Sequence, residues 1–381
     1  MSSRQSKPTA PSSSARLIDV RDLPVGLIDV ELSTRSTELV DDKTVLLLCR
    51  EQGPPTAVLK VARGRLPAAG LRAQRRVLAE LALHQGLDAE WRELVPRILA
   101  FDERTDATVS VESYRPGMDM ADVLRLHPDR VEELTAAALS AIAPLHRQTA
   151  SFVGVDNVCS LRRWVVEPLA GLTDMCRRLD PRLLPEVSRI RRLLRRALAG
   201  SRTAVSWTHG DFTPDHVRVA GLHGPATGIV DWGSARRDRP ALIDEYLMIL
   251  AVACQVEQAD LGAIVTERLR TGGLSDPERN ALRAAHERPN AAIGDRECVD
   301  ERIAILLTWL HRVADLWRRR AIQPNHHAWW LTNVAPVLDA VAASHNFEFS
   351  SARIRAADGT ASAAPMTTSP PVDDAAQGTG D

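Results

Sequence analysis

Hydrophobic residues change their spacing once along this chain. Between residues 27 and 113 they recur in short runs, at 27–32, 44–49, 56–61, 97–101 and 108–113. In these runs Val, Ile, Leu and Thr alternate, and polar, Gly or Pro residues separate them. A period of two puts successive side chains on opposite faces of a strand, so the runs predict a small β-rich region. One helix interrupts it. Over residues 71–83, Leu71, Val77, Leu78, Leu81 and Leu83 fall largely on one helical face. After Pro116-Gly117 the period becomes helical. Residues 129–149 predict a strong amphipathic helix, with further candidates at 161–176, 183–198, 241–255, 300–320 and 328–342. The exception is 204–233, where two strand-like runs, 217–220 and 228–231, flank a Gly-rich turn.

The expected organisation is α+β with two lobes. A β-rich lobe with one helix spans 16–115, and a larger helical lobe spans 116–350. Residues 1–15 and 351–381 lack hydrophobic periodicity and read as disordered tails. A junction between two lobes favours a ligand site in the cleft.

Composition narrows the function. The 48 Lys and Arg residues nearly balance 49 Asp and Glu, a net charge of −1. That excludes binding of nucleic acid or anionic membrane by overall charge. The longest uncharged apolar stretch, near 246–256, falls short of the ~18 residues a spanning helix needs. No apolar segment of signal-peptide type opens the chain, so the expected location is cytoplasmic. Cys49, Cys159, Cys176, Cys254 and Cys298 are widely spaced with no C-x-x-C, and read as buried reduced thiols. Arginine replaces lysine almost throughout. Only Lys7, Lys43 and Lys60 occur, and Lys60 stands inside an apolar strand pattern.

The densest chemistry lies in Trp207-Thr208-His209-Gly210-Asp211-Phe212-Thr213-Pro214-Asp215-His216-Val217. Twenty residues after Asp211, the apolar run Ile229-Val230 delivers Asp231, followed by Trp232-Gly233. Phosphoryl transfer accounts for this set. A hydroxyl nucleophile needs a carboxylate to accept its proton, which suits Asp211. Mg²⁺ needs hard ligands and usually keeps several waters, which suits His216 and Asp231. The phosphates need a cation from the other lobe, which suits Lys60. Gly233 is expected to let the chain turn after Asp231. A binuclear hydrolase site built on His209, Asp211, Asp215 and His216 competes with this reading.

The pattern H-G-D-x-x-x-x-H, followed by D-x-G and preceded by a strand lysine, resembles the aminoglycoside phosphotransferase family, over roughly residues 27–346. The resemblance implies a two-lobed protein-kinase-like fold and a small-molecule kinase using ATP or GTP with Mg²⁺. It implies Asp211 as base, Asp231 and His216 as metal ligands, and Lys60 on the α- and β-phosphates. His209 and Gly210 would shape the loop. The backbone of 111–114, including Glu112 and Tyr114, would bind the purine, and residues 33–37 would cover the phosphates. Two positions depart from the family. His216 stands where most members have Asn, and Gln74 stands where a helix Glu usually pairs with the lysine. Gln74 can hydrogen-bond Lys60 without neutralising it, and residues 33–37 contain no glycine; together these keep a pseudoenzyme that binds nucleotide or a protein partner as the alternative.

A protein kinase fits less well, because little chain separates Asp231 from the 241–255 helix to form an activation loop. The expected acceptor is a small hydroxyl compound. Glu257, Asp260 and Glu267 are offset by Arg268, Arg270 and Arg279, whereas a polycationic acceptor calls for a more acidic cleft. Asp244-Glu245 either anchors the catalytic loop or faces solvent. The Arg-rich stretch 188–196 reads as a solvated helix face, and Trp309, Trp329 and Trp330 as core.

Overall fold

In a computed structural model of the chain, residues 29–31, 43–49, 54–155, 158–222, 224–286, 299–320 and 326–343 are described. They all belong to one compact unit, Met1–Phe347. The expected tails and the 33–37 loop lie outside the described residues.

The N-terminal part is a five-stranded antiparallel sheet of β1 (Asp29–Glu31), β2 (Lys43–Cys49), β3 (Pro55–Ala62), β4 (Ile98–Glu103) and β5 (Thr108–Ser113). Its strand order is β1-β2-β3-β5-β4. Alternation sorts the side chains as the pattern requires. Ala57, Leu59 and Val61 of β3 pack with Leu48, Val109 and Val111 on one face. Lys60, Ser110 and Glu112 are buried polar side chains at the alternate positions. Helix α1 (Arg65–Leu83) follows β3 and buries Leu71, Gln74, Val77, Leu78 and Leu81. It starts six residues before the apolar stripe, because Pro67 is tolerated in a first turn. A short α2 (Ala89–Arg92) precedes β4.

The C-terminal part is mostly helical. It contains α3 (Met120–Leu126), α4 (Val131–Gln148), α5 (Val158–Leu161), α6 (Glu167–Leu179), α7 (Leu184–Leu198), α8 (Leu242–Val256), α9 (Leu261–Thr271), α10 (Asp276–His286), α11 (Glu301–Arg320), α12 (His326–Asn333) and α13 (Ala335–Ala343). A wide π-helical turn, Arg162–Val166, joins α5 to α6 without a break, so the expected 161–176 helix is present with one widened turn. The expected 328–342 helix is two helices. Pro336 lacks the N–H that a continuous helix would need there, and fits the first turn of α13 instead. On α7 the buried residues are Val187, Ile190, Leu194 and Leu198, which leaves Arg191, Arg192, Arg195 and Arg196 exposed. Trp309 and Trp330 are core, and Trp309 Nε1 donates to Asn333 O at 3.0 Å. Among the described cysteines Cys176 is buried but Cys159 is exposed, which corrects the expectation of buried thiols throughout. No single described helix is long and apolar enough to cross a membrane.

Two small sheets position the site. β6 (Met118–Asp119), β9 (Val217–Val219) and β10 (Ala226–Ile229) form one, and β7 (Ser151–Gly154), β8 (Arg202–Thr208) and β11 (Arg236–Pro240) the other. Thr208 pairs with Arg236 across β8 and β11. That register brings the loop after β8 beside the turn after β10, and so sets 209–216 against 231–235.

Candidate active site

The loop after β8 is held by its backbone. Gly210 has φ 77°, and a Cβ there would lie 2.4 Å from Ser234 O, so only glycine fits. Asp244 on α8 is fully buried. Its Oδ2 accepts from His209 N at 2.6 Å and lies 3.1 Å from His146 Nε2, while Oδ1 accepts from Gly210 N at 2.8 Å. Asp244 is therefore the loop anchor and does not face solvent. Asp244→Asn removes one acceptor and aims an amide donor at backbone N–H groups. The expected cost is about 3 kcal/mol, read by chemical denaturation. A loss near zero would mean that the two amides find other acceptors.

His209 is buried with both ring nitrogens engaged. Nδ1 accepts from Asp211 N at 3.3 Å, and Nε2 donates to Val230 O at 2.9 Å. Burial, then His216, lowers its pKa against opposition from Asp244 and Asp211. Its ring also packs edge-on against Trp232, centroids 4.7 Å apart. A ring spent this way has no lone pair for a metal, so the binuclear reading loses His209.

His216 has the opposite arrangement. Its Nδ1 donates to Asp211 O at 2.7 Å. That leaves the Nε2 lone pair directed at Asp215 Oδ2, 3.6 Å away, and at Asp231 Oδ2, 3.7 Å away. Burial opposes charge on this ring, but Asp215, Asp211 and Asp231 together outweigh it and raise its pKa. A backbone-fixed imidazole facing a carboxylate with no direct hydrogen bond is a fitting pair for a divalent cation that keeps part of its water shell. Among the described residues, no group of three or more His, Cys, Asp or Glu side chains converges on a single metal position.

Asp231 itself adopts the left-handed conformation, φ 65° and ψ 57°. Gly233 was expected to make this turn, but it does not have a positive φ. The strain sits on the carboxylate residue. Val230 N bonded to His216 O at 2.9 Å fixes the chain before it, and Trp232 Nε1 bonded to Ile229 O at 2.8 Å fixes the chain after it. Asp211 is nearly buried, and its Oδ1 forms an ion pair with Arg312 Nη1 of α11. Nothing in the local motif points to Arg312, which lies 101 residues downstream.

Lys60 is reached from an unexpected direction. Its Nζ lies 3.0 Å from Glu112 Oε2 and 3.6 Å from Asp231 Oδ1. Gln74 Nε2 donates to Glu112 Oε1 at 2.7 Å, so Gln74 supports the lysine's partner and is not itself that partner. All three side chains are buried. Burial pushes the Lys60 pKa down, but Glu112 and then Asp231 outweigh it and hold the ammonium above its ordinary value. Glu80 pairs elsewhere, with Arg237. In the segment expected to bind the purine through its backbone, Glu112 turns its side chain to Lys60, and Tyr114 N donates to Thr56 O at 3.1 Å.

The phosphotransferase enzyme family model matches residues 40–242, more than half of the chain, and the chain belongs to that family. One similar solved structure is a thermostable mutant of the aminoglycoside phosphotransferase APH(4)-Ia in ternary complex with ADP and hygromycin B. It is 14% identical with a TM-score of 0.50, over 82% of this chain and 94% of that one. A type VIII aminoglycoside-3'-phosphotransferase is 17% identical with a TM-score of 0.45, over 70% of this chain and 88% of that one. No curated protein matches. The fold is the two-lobed, protein-kinase-like one of these phosphotransferases, as the motif order implied.

Proposed function

We propose that this chain transfers the γ-phosphoryl group of ATP or GTP to a hydroxyl of a small molecule. The observation that carries the reading is a continuous line of contacts across the lobes. Lys60 Nζ lies 3.6 Å from Asp231 Oδ1, and Asp231 Oδ2 lies 3.7 Å from His216 Nε2, whose other nitrogen is bound to Asp211 O. A cation for the phosphates, a metal-type pair and a carboxylate base thus adjoin one another in the order that in-line transfer uses.

In this reading Lys60 draws on the α- and β-phosphates, and Glu112 aims it. Asp211 accepts the hydroxyl proton and orients the attacking oxygen. His216 and Asp231 would hold Mg²⁺, which when bound neutralises phosphate charge. The ADP carried by the structurally similar enzyme supports the nucleotide class. The pseudoenzyme alternative draws on Gln74 and on the lack of glycine in residues 33–37; the Glu112 carboxylate beside Lys60 weakens the first of these grounds.

The test is thermal denaturation with ATP or GTP, with and without Mg²⁺, on wild type and Asp231→Ala. Saturable stabilisation that needs both Mg²⁺ and Asp231 is expected, reaching about 2.7 kcal/mol at a hundredfold excess over Kd. Equal stabilisation of the variant would refute the metal assignment. No stabilisation of wild type by either nucleotide would refute the kinase reading.

A further inference from the structure

A second site lies beside the catalytic loop, on its C-terminal side. An open pocket of about 340 Å³ lies between β11, the Arg162–Val166 turn, the start of α6 and α11; its charged lining is Arg163, Arg236, Arg239 and Arg318 against Asp238, Asp315 and Glu167, the last paired with Arg162 outside the pocket lining. Its cations are under-served. Arg163 pairs with Asp238, but Arg318 and Arg239 share Asp315, with Arg239 Nη1 3.7 Å from Asp315 Oδ2. That Nη1 is buried and makes no hydrogen bond. Arg236 has no carboxylate within salt-bridge reach among the described residues, and its Nη1 donates to its neighbour's carbonyl, Ala235 O, at 2.7 Å. Burial, then Arg239, lowers the Arg236 pKa against opposition from Asp315. His311, also on the wall, adds no charge, since burial pushes its pKa down to about 3. One buried guanidinium donor without a hydrogen bond, Arg239 Nη1, beside the exposed and carboxylate-free Arg236, matches a phosphate or carboxylate, which accepts from Arg in paired fashion.

The cavity and the candidate base share their supports. α11 turns His311 into the cavity and Arg312 onto Asp211. A Cβ on Gly210, the residue before Asp211, would lie 3.5 Å from Arg239 Nη1. The guanidinium of Arg312 also offsets the charge of Asp211, so an incoming anion would not meet a bare carboxylate.

We propose that this cavity binds an anionic group, phosphate or carboxylate, of the acceptor, and that the enzyme phosphorylates a hydroxyl compound carrying such a group. The proposal rests on the phosphotransferase reading for the word acceptor, but the anion site stands on the cavity alone. It predicts discrimination against polycationic acceptors, which would place ammonium groups among these arginines.

Two measurements separate the two claims. The first is binding of inorganic phosphate, followed by thermal denaturation and calorimetry. Saturable binding is expected in wild type and in Arg191→Gln, on the exposed face of α7, with at least tenfold weaker binding in Arg236→Gln and in Arg239→Gln. Arg236→Gln breaks no ion pair, so it tests the site even if Arg239→Gln fails to fold. Phosphate binding that survives in both cavity variants, or is absent from wild type, would overturn the anion site. The second is ADP formation from Mg-ATP with glucose, glucosamine, gluconate or glucose 6-phosphate. Higher kcat/KM for an anionic compound is expected, with gluconate against glucose 6-phosphate distinguishing carboxylate from phosphate. Preference for glucosamine over both would overturn the acceptor assignment. Failure of the chain to turn over ATP under any condition would sink the phosphotransferase reading while the phosphate titration still decided the cavity.

Discussion

Asp211→Asn lowers kcat by roughly 10³-fold while nucleotide-induced stabilisation persists. The size follows from what a positioned base contributes to hydroxyl activation, about 10²–10⁴. The amide keeps the shape of the side chain but cannot take the proton. The loop does not depend on the carboxylate, because Asp211 N is held by His209 Nδ1 and Asp211 O by His216 Nδ1. The substitution does remove the ion pair to Arg312. Steady-state ADP release, measured beside the thermal shift with Mg-ATP, tells the outcomes apart. Turnover within tenfold of wild type would remove Asp211 from the chemistry. Loss of both turnover and stabilisation would mean that the carboxylate holds the nucleotide site together.

The local parts of this site are legible in the sequence because they are consecutive. His209, Gly210, Asp211 and His216 lie within one short loop, and Asp231 comes two residues after a strand that pairs with the one leaving that loop. The partners of these residues are set by tertiary structure. Glu112 reaches Lys60 only because β3 and β5 pair with Lys60 opposite Ser110, which places Glu112 two residues along on the same face. Periodicity cannot reveal a register between strands separated by two helices and a third strand. Arg312 reaches Asp211 from α11, and Asp244 reaches the loop amides from α8.

The elements that pattern reading misses share a physical cause. β11 is Arg-Arg-Asp-Arg-Pro, which offers no apolar alternation, and its strand character comes from backbone pairing with β8. The turn at Arg162–Val166 falls inside a stretch whose apolar residues keep helical spacing, so the sequence reads straight through it. That irregularity carries consequences, because it brings Arg163 to the wall of the arginine-lined cavity. The wrong assignment of the turn after Asp231 has a similar origin. Glycine is the default for a left-handed residue, and a carboxylate in that conformation becomes visible only from its torsion angles.

Glu112→Gln is expected to be costly in a way that Gln74→Glu alone is not. The variant strands a buried ammonium, and breaking a buried pair typically costs about 3–5 kcal/mol. Asp231, 3.6 Å from Lys60 Nζ, remains as a weaker partner, so the lower end applies. Nucleotide kcat/KM should fall at least tenfold as Lys60 loses its aim. The double variant Gln74→Glu with Glu112→Gln preserves one amide and one carboxylate across the same 2.7 Å contact, but moves the charge from strand to helix. Denaturation curves for the four proteins of this cycle give the coupling directly. Recovery of most of the lost stability in the double variant is expected. Glu112→Gln as stable and as active as wild type would show that Lys60 does not depend on β5. Recovery of stability without turnover would mean that the carboxylate must come from the sheet. A lysine paired within its own sheet is aimed whatever the position of α1, whereas one paired to the helix is aimed only while the helix stays docked.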